Sequence, residues 1–394
     1  MKPDLFQAPD YYLLDDLLTD EHKLVRDSAR AWVKREVSPI IEDYAQRAEF
    51  PKQIIKGLGE IGGFGPYIPE EYGGAGLDQI SYGLIMQEIE RGDSGVRSTS
   101  SVQSSLVMYP IWKFGTEEQK MKYLPKLATG EFMGCFGLTE PDYGSNPSDL
   151  VTNYKDMGDH YLLNGSKTFI SNGQHADVVV LAVKTDPQAR AKGVSLLLVD
   201  THLDGFKKGT NLDKIGLHSQ DTSELFFDNV KVPKDQLLGN PGSGFAYLMQ
   251  ELPRERTAIA STALGAIRGA IDIATQYVKE RQAFGQAIAQ FQNTRFVLAQ
   301  AKIDELATAA FYNQNVALYN EGKLDVETAA ALKSFSTDMQ MKVADNLLQL
   351  FGGYGYMTEY PISRFFVDAR IQRIYGGTNE IMKEIVARGL IGKA

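Results

Sequence analysis

The chain has 394 residues, 43% of them hydrophobic and 23% charged, and carries a formal net charge of −9 with a pI near 5.2. Such a length accommodates two or three domains and a large buried core, and the acidic balance argues against nonspecific binding of nucleic acid or of an anionic membrane. The single cysteine, Cys135, excludes an internal disulfide framework and a thiolate zinc cluster and points to a reducing compartment; it lies in the apolar run Phe132-Met133-Gly134-Cys135-Phe136, where inert burial is expected.

Met1 to Phe6 show neither a secretory apolar region nor an Arg/Ser-rich transit pattern, and no window approaches the roughly 18 apolar residues that span a bilayer. The chain reads as cytoplasmic, or as a mitochondrial matrix protein already processed. From Thr19 to about Gly130 the pattern is helical: Thr19-Asp20-Glu21-His22 makes an acidic helix start, with Leu24, Val25, Ala29 and Val33 on one face, and shorter helices lie between Pro110 and Pro125. From about Glu131 to Asn240 short β-branched runs take over, at 161–163, 178–183, 194–199 and 225–227, punctuated by Asn164-Gly165 and Asp228-Asn229. Long amphipathic helices return after Gly244, over 257–281, 293–320, 325–349 and 380–389, in a half almost without proline. The order predicts an α+β chain: an N-terminal helical domain (1–130), a middle antiparallel β domain (131–240) and a C-terminal helical bundle (241–394).

Two loops in the middle segment are crowded with ligand-facing chemistry. Gly137-Leu138-Thr139-Glu140-Pro141-Asp142-Tyr143-Gly144-Ser145-Asn146-Pro147 offers turn formers and hydroxyls suited to a planar or phosphorylated ligand; its bland reading is an ordinary connection into a strand. Phe169-Ile170-Ser171-Asn172 follows one strand later with an aromatic and a hydroxyl. Arg281-Gln282-Ala283-Phe284-Gly285, with Phe291-Gln292 beyond, supplies an arginine fork for a pyrophosphate, or else a solvated helix end. No Gly-x-Gly-x-x-Gly follows a strand, so a doubly wound nicotinamide-binding sheet is not expected.

These segments, with Arg373-Ile374-Tyr375-Gly376-Gly377-Thr378-Asn379-Glu380 and Glu251-Leu252-Pro253-Arg254-Glu255-Arg256, resemble the acyl-CoA dehydrogenases in order and separation over nearly the whole chain. The resemblance implies a C-terminal four-helix bundle, FAD as cofactor and an acyl-CoA as substrate. It also implies an electron-transferring flavoprotein as electron acceptor, a homotetramer, and neither a metal nor a membrane span. By the same resemblance, backbone near Leu138 and Thr139 bonds the flavin pyrimidine edge, with Phe136 and Gly144 alongside. Ser145 bonds the pyrophosphate, Phe169 packs on the ring, and Ser171 approaches its N5 side. Arg281, Phe284, Phe291, Gln292, Gln349, Gly352 and Gly353 are implied to reach the FAD of a neighbouring subunit, and Thr378 and Glu380 to border the cofactor. Ser98, Ser145, Arg256, Tyr375 and Gly376 are implied to line the substrate.

Many members of the family carry the catalytic glutamate directly before a Gly-Thr pair, whereas Gly376 has no side chain to take a proton. In the long-chain and isovaleryl-CoA members a glutamate before an arginine does that work, as Glu255 stands before Arg256. Glu255 is therefore expected to be the base for the α-proton, with flavin N5 as hydride acceptor, and enclosure is expected to raise its pKa. Its bland role is an acid favouring a helix N-terminus after Pro253; Glu380 reads as a first-turn acid and Glu140 as a shaper of its loop. A carboxylate moved from Glu255 to Gly376 is expected to face the same α-carbon. The segment 92–108 resembles the glutaryl-CoA dehydrogenases, in which the arginine at Arg97 binds a distal carboxylate; an internal pair with Glu90 or Asp93 is the alternative. The stretch from Gly376 to Glu384 instead resembles the long-chain branch, leaving medium, long or branched monocarboxylyl-CoA substrates as the rival, and a non-dehydrogenating flavin-binding module as a second one.

Overall fold

The computed structural model describes residues 13–392, so Met1 to Phe6 lie outside the described residues. The N-terminal helices include α1 (Asp20–Trp32), α2 (Gln79–Gly92), α3 (Ser94–Ser101) and α4 (Glu117–Thr129). The expected start at Thr19 is an N-cap: its hydroxyl accepts from the backbone of His22, and the His22 ring accepts from Thr19 in return. α2 is buried almost from end to end, because α1 covers one side and the first C-terminal helix the other.

The middle region is one eight-stranded sheet, β1 (Gly134–Gly137), β2 (Asn153–Asp156), β3 (His160–Ser171), β4 (Val178–Lys184), β5 (Val194–Asp200), β6 (Phe206–Asn211), β7 (Thr222–Pro233) and β8 (Leu237–Leu238). The path runs β6-β7-β3-β2-β4-β5-β8 and is antiparallel except beside β4, where β1 and the start of β2 run parallel to it. β4 and β5 are apolar without alternation because both faces are covered. Val178, Val180, Val194, Leu196 and Leu198 join the core of the N-terminal helices, while Val179, Leu181, Leu197 and Val199 pack on the far side. Cys135 is wholly buried there, and burial pushes its thiol up, away from reactivity.

The C-terminal region holds α5 (Gly244–Glu280), a short hairpin of β9 (Gln282–Ala283) and β10 (Gln286–Ala287), α6 (Gln292–Asn320), α7 (Val326–Gln349), α8 (Pro361–Gln372) and α9 (Asn379–Ile391). α5 begins 13 residues before the expected Thr257 and runs through Pro253, because its first turns pack on the N-terminal core through Leu248 and through Tyr247 stacked on Phe114 at 3.9 Å. It is also long and apolar enough to cross a membrane, which the window reading missed, yet 94% of its most apolar stretch is buried inside the protein. Glycines let the helices cross closely: a Cβ on Gly265 of α5 would meet Gln87 of α2 at 2.7 Å.

Candidate active site

The site begins with α5 as a rod. Glu251 and Glu255 are one turn apart on it and so share a face. Glu255 lies well inside the helix, so the bland role of an acid at a helix N-terminus is closed to it. Pro253 costs the helix one backbone bond at this point, and Thr257 Oγ1 returns a bond to the Pro253 carbonyl at 2.8 Å. Burial raises the Glu255 carboxyl above the ordinary carboxylate range, with Arg256, Arg254 and Lys333 pulling the other way. Glu251, deeply buried, is raised well above that range by burial and by the Glu255 charge. The guanidinium of Arg254 lies in a cage of tyrosines, 3.7 Å above the Tyr67 ring, 4.5 Å from Tyr109 and 5.1 Å from Tyr82.

The facing wall is the loop from Tyr375 to Thr378. Gly376 sits at φ +63°, and a Cβ there would lie 2.4 Å from Ile259 Cδ1, so the side chain one turn beyond Glu255 occupies the place a residue at 376 would need. The loop is held from behind by Lys333 of α7, which is fully buried and donates to the Gly377 carbonyl at 2.8 Å and to Asn379 Oδ1 at 3.0 Å. Burial lowers Lys333 to about 8. Thr378 caps α9 by accepting from Ile381, and exposed Glu380 is a first-turn acid held below its usual range by its own backbone N–H and by Thr378.

The third wall carries Arg97, 2% exposed. Its Nε donates to Glu90 at 2.5 Å, Nη1 to Ser101 at 3.3 Å and Nη2 to the Tyr375 hydroxyl at 3.0 Å, while Glu90 also accepts from Ser94. The internal pair considered from the sequence is thus formed, and with Glu90, not Asp93; Asp93 caps α3 and pairs with Arg364. Ser98 is buried beside it. Ionisation of Tyr375 and of Tyr82 is opposed by burial first and by Glu255 among the charges, which brings Arg97, Tyr82, Tyr375 and Glu255 around one space.

The loop after β1 is locked by a buried ion pair. Glu140 accepts from Lys167 at 2.8 Å and from the backbone N–H groups of Val151 and Thr152; although burial opposes it, this company holds its carboxyl below the usual range. Lys167 also donates to the Leu138 carbonyl and Thr168 to that of Thr139, so at these two positions the carbonyls are already engaged within the chain. Phe136 and Ser171 are half-buried near it. Phe169 sits at φ +58° in a bulge of β3 and is 68% exposed, a strained backbone that holds an apolar ring outward. Asn172 ties the end of this strand to α3 through the Thr99 carbonyl and to β1 through that of Gly134. Gly144 and Ser145 lie in the open, and among the described residues a Cβ on Gly144 would meet nothing beyond its chain neighbours.

Arg281, Gln349, Gly352 and Gly353 line a separate groove of about 540 Å³ with Tyr277, while Phe284, at φ +51° and 96% exposed, caps the β9–β10 hairpin and packs edge-on to Phe291, which precedes exposed Gln292. Tyr277 is 22 residues along α5 from Glu255, or roughly 33 Å. One chain therefore does not bring this group to the Glu255 pocket. A Cβ on Gly353 or Gly144 would again touch nothing, so neither glycine is required by the chain's own packing or, at these two positions, by a left-handed turn. Those two open cradles and the outward Phe169 ring fit a large planar, phosphorylated cofactor; among the described residues no cluster fits a metal.

Sequence reading passed over Glu251, Ile259 and Lys333. The i−4 spacing from Glu255 was available for the first, and a lone lysine in the small-residue run Ala329-Ala330-Ala331-Leu332-Lys333-Ser334 for the last.

Family models for the acyl-CoA dehydrogenase N-terminal, middle and C-terminal domains match residues 19–131, 135–230 and 242–391. The chain is 39% identical to the long-chain specific acyl-CoA dehydrogenase of Rattus norvegicus over 95% of its length and 87% of that protein. Among solved structures it resembles a chain described under the electron transferring flavoprotein of Acidaminococcus fermentans (TM-score 0.93, 39% identity, 98% of this chain and 100% of that one). It also resembles a glutaryl-CoA dehydrogenase from Mycobacterium smegmatis in complex with FADH2 (TM-score 0.92, 32% identity, 97% of each chain). With three consecutive domain matches and this whole-length likeness, the chain belongs to the acyl-CoA dehydrogenases, FAD-dependent oxidoreductases that act on the CH–CH bond of acyl-CoA thioesters.

Proposed function

We propose that the chain forms a 2-enoyl-CoA from an acyl-CoA, with Glu255 as the base for the α-proton. The observation that carries this reading is the carboxyl itself: Glu255 stands half-buried well inside α5, desolvation holds it above the usual range, and it faces a wall whose own position 376 is filled by Ile259. Bound FAD supplies the acceptor for the two electrons that leave with the β-hydrogen. The thioester acidifies the α-carbon, and a base with a raised pKa is better matched to that proton than an ordinary carboxylate. Arg254 and Arg256, both buried, keep the site positive enough for Glu255 to ionise, and Glu251 in its neutral form adds no second negative charge. Ser145, Phe169 and Ser171 would hold the cofactor; Arg281, Gln349, Gly352 and Gly353, in the groove beside Tyr277, which lies roughly 33 Å along α5 from Glu255, would serve that of a second copy. That arrangement favours an oligomer, a homotetramer by family habit, handing electrons to an electron-transferring flavoprotein.

Arg97 already has its charge balanced by Glu90, which favours a monocarboxylyl acyl group over a dicarboxylyl one. The flavin-binding module without dehydrogenation keeps one point in its favour, the likeness to the chain described under the electron transferring flavoprotein of Acidaminococcus fermentans. Anaerobic mixing of the purified holoprotein with a panel of mono- and dicarboxylyl-CoAs separates the three. Bleaching by monocarboxylyl thioesters supports this reading, bleaching by dicarboxylyl ones alone returns Arg97 to substrate binding, and no bleaching supports the module.

A further inference from the structure

Lys333 is a fully buried cation behind the site. It is 0% exposed, and its ammonium makes hydrogen bonds to a carbonyl and an amide oxygen, at 2.8 and 3.0 Å, with no carboxylate among its bonded partners. Burying a cation in this way is costly, and a neutral donor would hold the same two oxygens more cheaply if holding were all that was needed. The acid next to it on α7, Asp338, is already engaged by Arg373 at 2.6 Å and by Asn379 at 3.0 Å, and Glu380 on α9 is exposed. From α5 the charged groups facing it are Arg256 and Glu255. Glu255, half-buried on α5, is therefore the anion against which the charge of Lys333 can be used.

We propose that Lys333 is a positioning residue for the reaction: it clamps the Tyr375–Thr378 loop as the wall opposite Glu255 and, when protonated, supplies a positive charge that keeps Glu255 available as a carboxylate. The clamp is specific in its geometry. Asn379, whose Oδ1 accepts from Lys333, also donates from Nδ2 to Thr337 and Asp338, so the loop exit and the first turn of α9 are tied to α7 by one network. The loop in turn holds Tyr375 on Arg97 and Gly376 against Ile259. Around Glu255 itself stand Glu251, Arg254 and Arg256 from α5, Tyr82 from α2, Arg97 from α3, Tyr375 from the loop and Lys333 from α7; of the two cations brought by other helices, Arg97 is already paired with Glu90, whereas Lys333 has no carboxylate among its bonded partners. With the positive field at Glu255 reduced, more of the enzyme carries a protonated base on the acid side of the profile.

This rests on Glu255 as the base, so the test runs on the holoenzyme with Glu255→Gln alongside. In Lys333→Met and Lys333→Gln, the acid limb of kcat/KM against pH is expected to move to higher pH, with a loss of roughly threefold or more on that limb that is recovered as pH rises. Flavin content should be retained. Lys333→Gln, which keeps a donor, separates charge from clamping: it should share the displaced limb while losing less thermal stability than Lys333→Met. If both variants fold and bind FAD with an acid limb where the wild type has it, the charge is not used and the proposal fails. Should Lys333→Met not fold, the limb of Lys333→Gln alone decides. Full activity in Glu255→Gln would instead overturn the underlying assignment, a different result from an unmoved profile.

Discussion

Moving the carboxylate from α5 to the facing loop is the most demanding test of the two-wall arrangement. In Gly376→Glu the new Cβ would lie 2.4 Å from Ile259 Cδ1, on a backbone at φ +63°. A left-handed conformation costs a side-chain-bearing residue about 1–2 kcal/mol, and forcing atoms into a filled core place about 1–3 kcal/mol. The single variant should therefore lose about 2–5 kcal/mol of stability by those two causes together. Glu255→Gly with Gly376→Glu, the exchange the sequence invites, should then be both destabilised and nearly inactive. Adding Ile259→Ala empties the contested space; it relieves the overpacking while leaving the backbone cost, and so should recover part of the stability and part of the rate. Thermal melts of the apo and holo forms, followed by stopped-flow flavin reduction with one acyl-CoA, read both quantities. If Gly376→Glu melts with the wild type, or if the double exchange is active while Ile259 is intact, the contact between the two walls is not what keeps position 376 bare.

Glu255→Gln should keep flavin and acyl-CoA binding while slowing flavin reduction by roughly 10²- to 10⁴-fold, with Glu380→Gln close to wild type in the same stopped-flow assay. Arg97→Ala should cost about 3–5 kcal/mol in denaturant unfolding because it strands Glu90, and pairing it with Glu90→Gln should return much of that loss; an undiminished midpoint would mean the pair contributes nothing. Gly144→Ala and Gly353→Ala should leave the melting of the apoprotein unchanged, since among the described residues nothing beyond the chain neighbours is within 4 Å of the added carbon, yet weaken FAD retention on gel filtration. Glu251, its carboxyl held above the usual range by burial and by Glu255, contributes stability that is present below its unfolded pKa and lost as pH rises through the folded one. Glu251→Gln should accordingly flatten the fall in Tm between acid and alkaline buffers, and an unchanged slope would refute that account.

Helices and strands were legible where one physical signal ruled. The Thr19 cap, the unbroken apolar runs of β4 and β5 and the long helices each followed from spacing alone. The start of α5 was not legible, because Pro253 reads as a helix beginning and only packing of Tyr247 on Phe114 and of Leu248 in the core shows that the chain enters the helix earlier. The site followed the same division. A glutamate before an arginine could be singled out by motif, but whether its surroundings raise or lower its pKa depends on Arg254, Arg256 and Lys333, and Lys333 arrives from α7, 78 positions away. Arg97 was equally visible, and its partner was only one of two choices until the fold set Glu90 rather than Asp93 against Nε.

The bare loop and the armed helix are two sides of one packing decision. A glycine at φ +63° leaves the Tyr375–Thr378 turn free of a side chain, and that vacancy is what Ile259 fills from the helix that carries Glu255. With the loop thus closed, an acid on it would have to displace core, whereas an acid one turn earlier on α5 meets the space between the loop, Tyr82 and Arg97 without disturbing either wall. The same helix buries its remaining length against α2, α6 and α7, so Glu255 is carried on one of the most constrained elements of the molecule. A base for a weakly acidic carbon benefits from that: its reach to the substrate is set by a packed helix, and its ionisation by charges fixed on neighbouring ones.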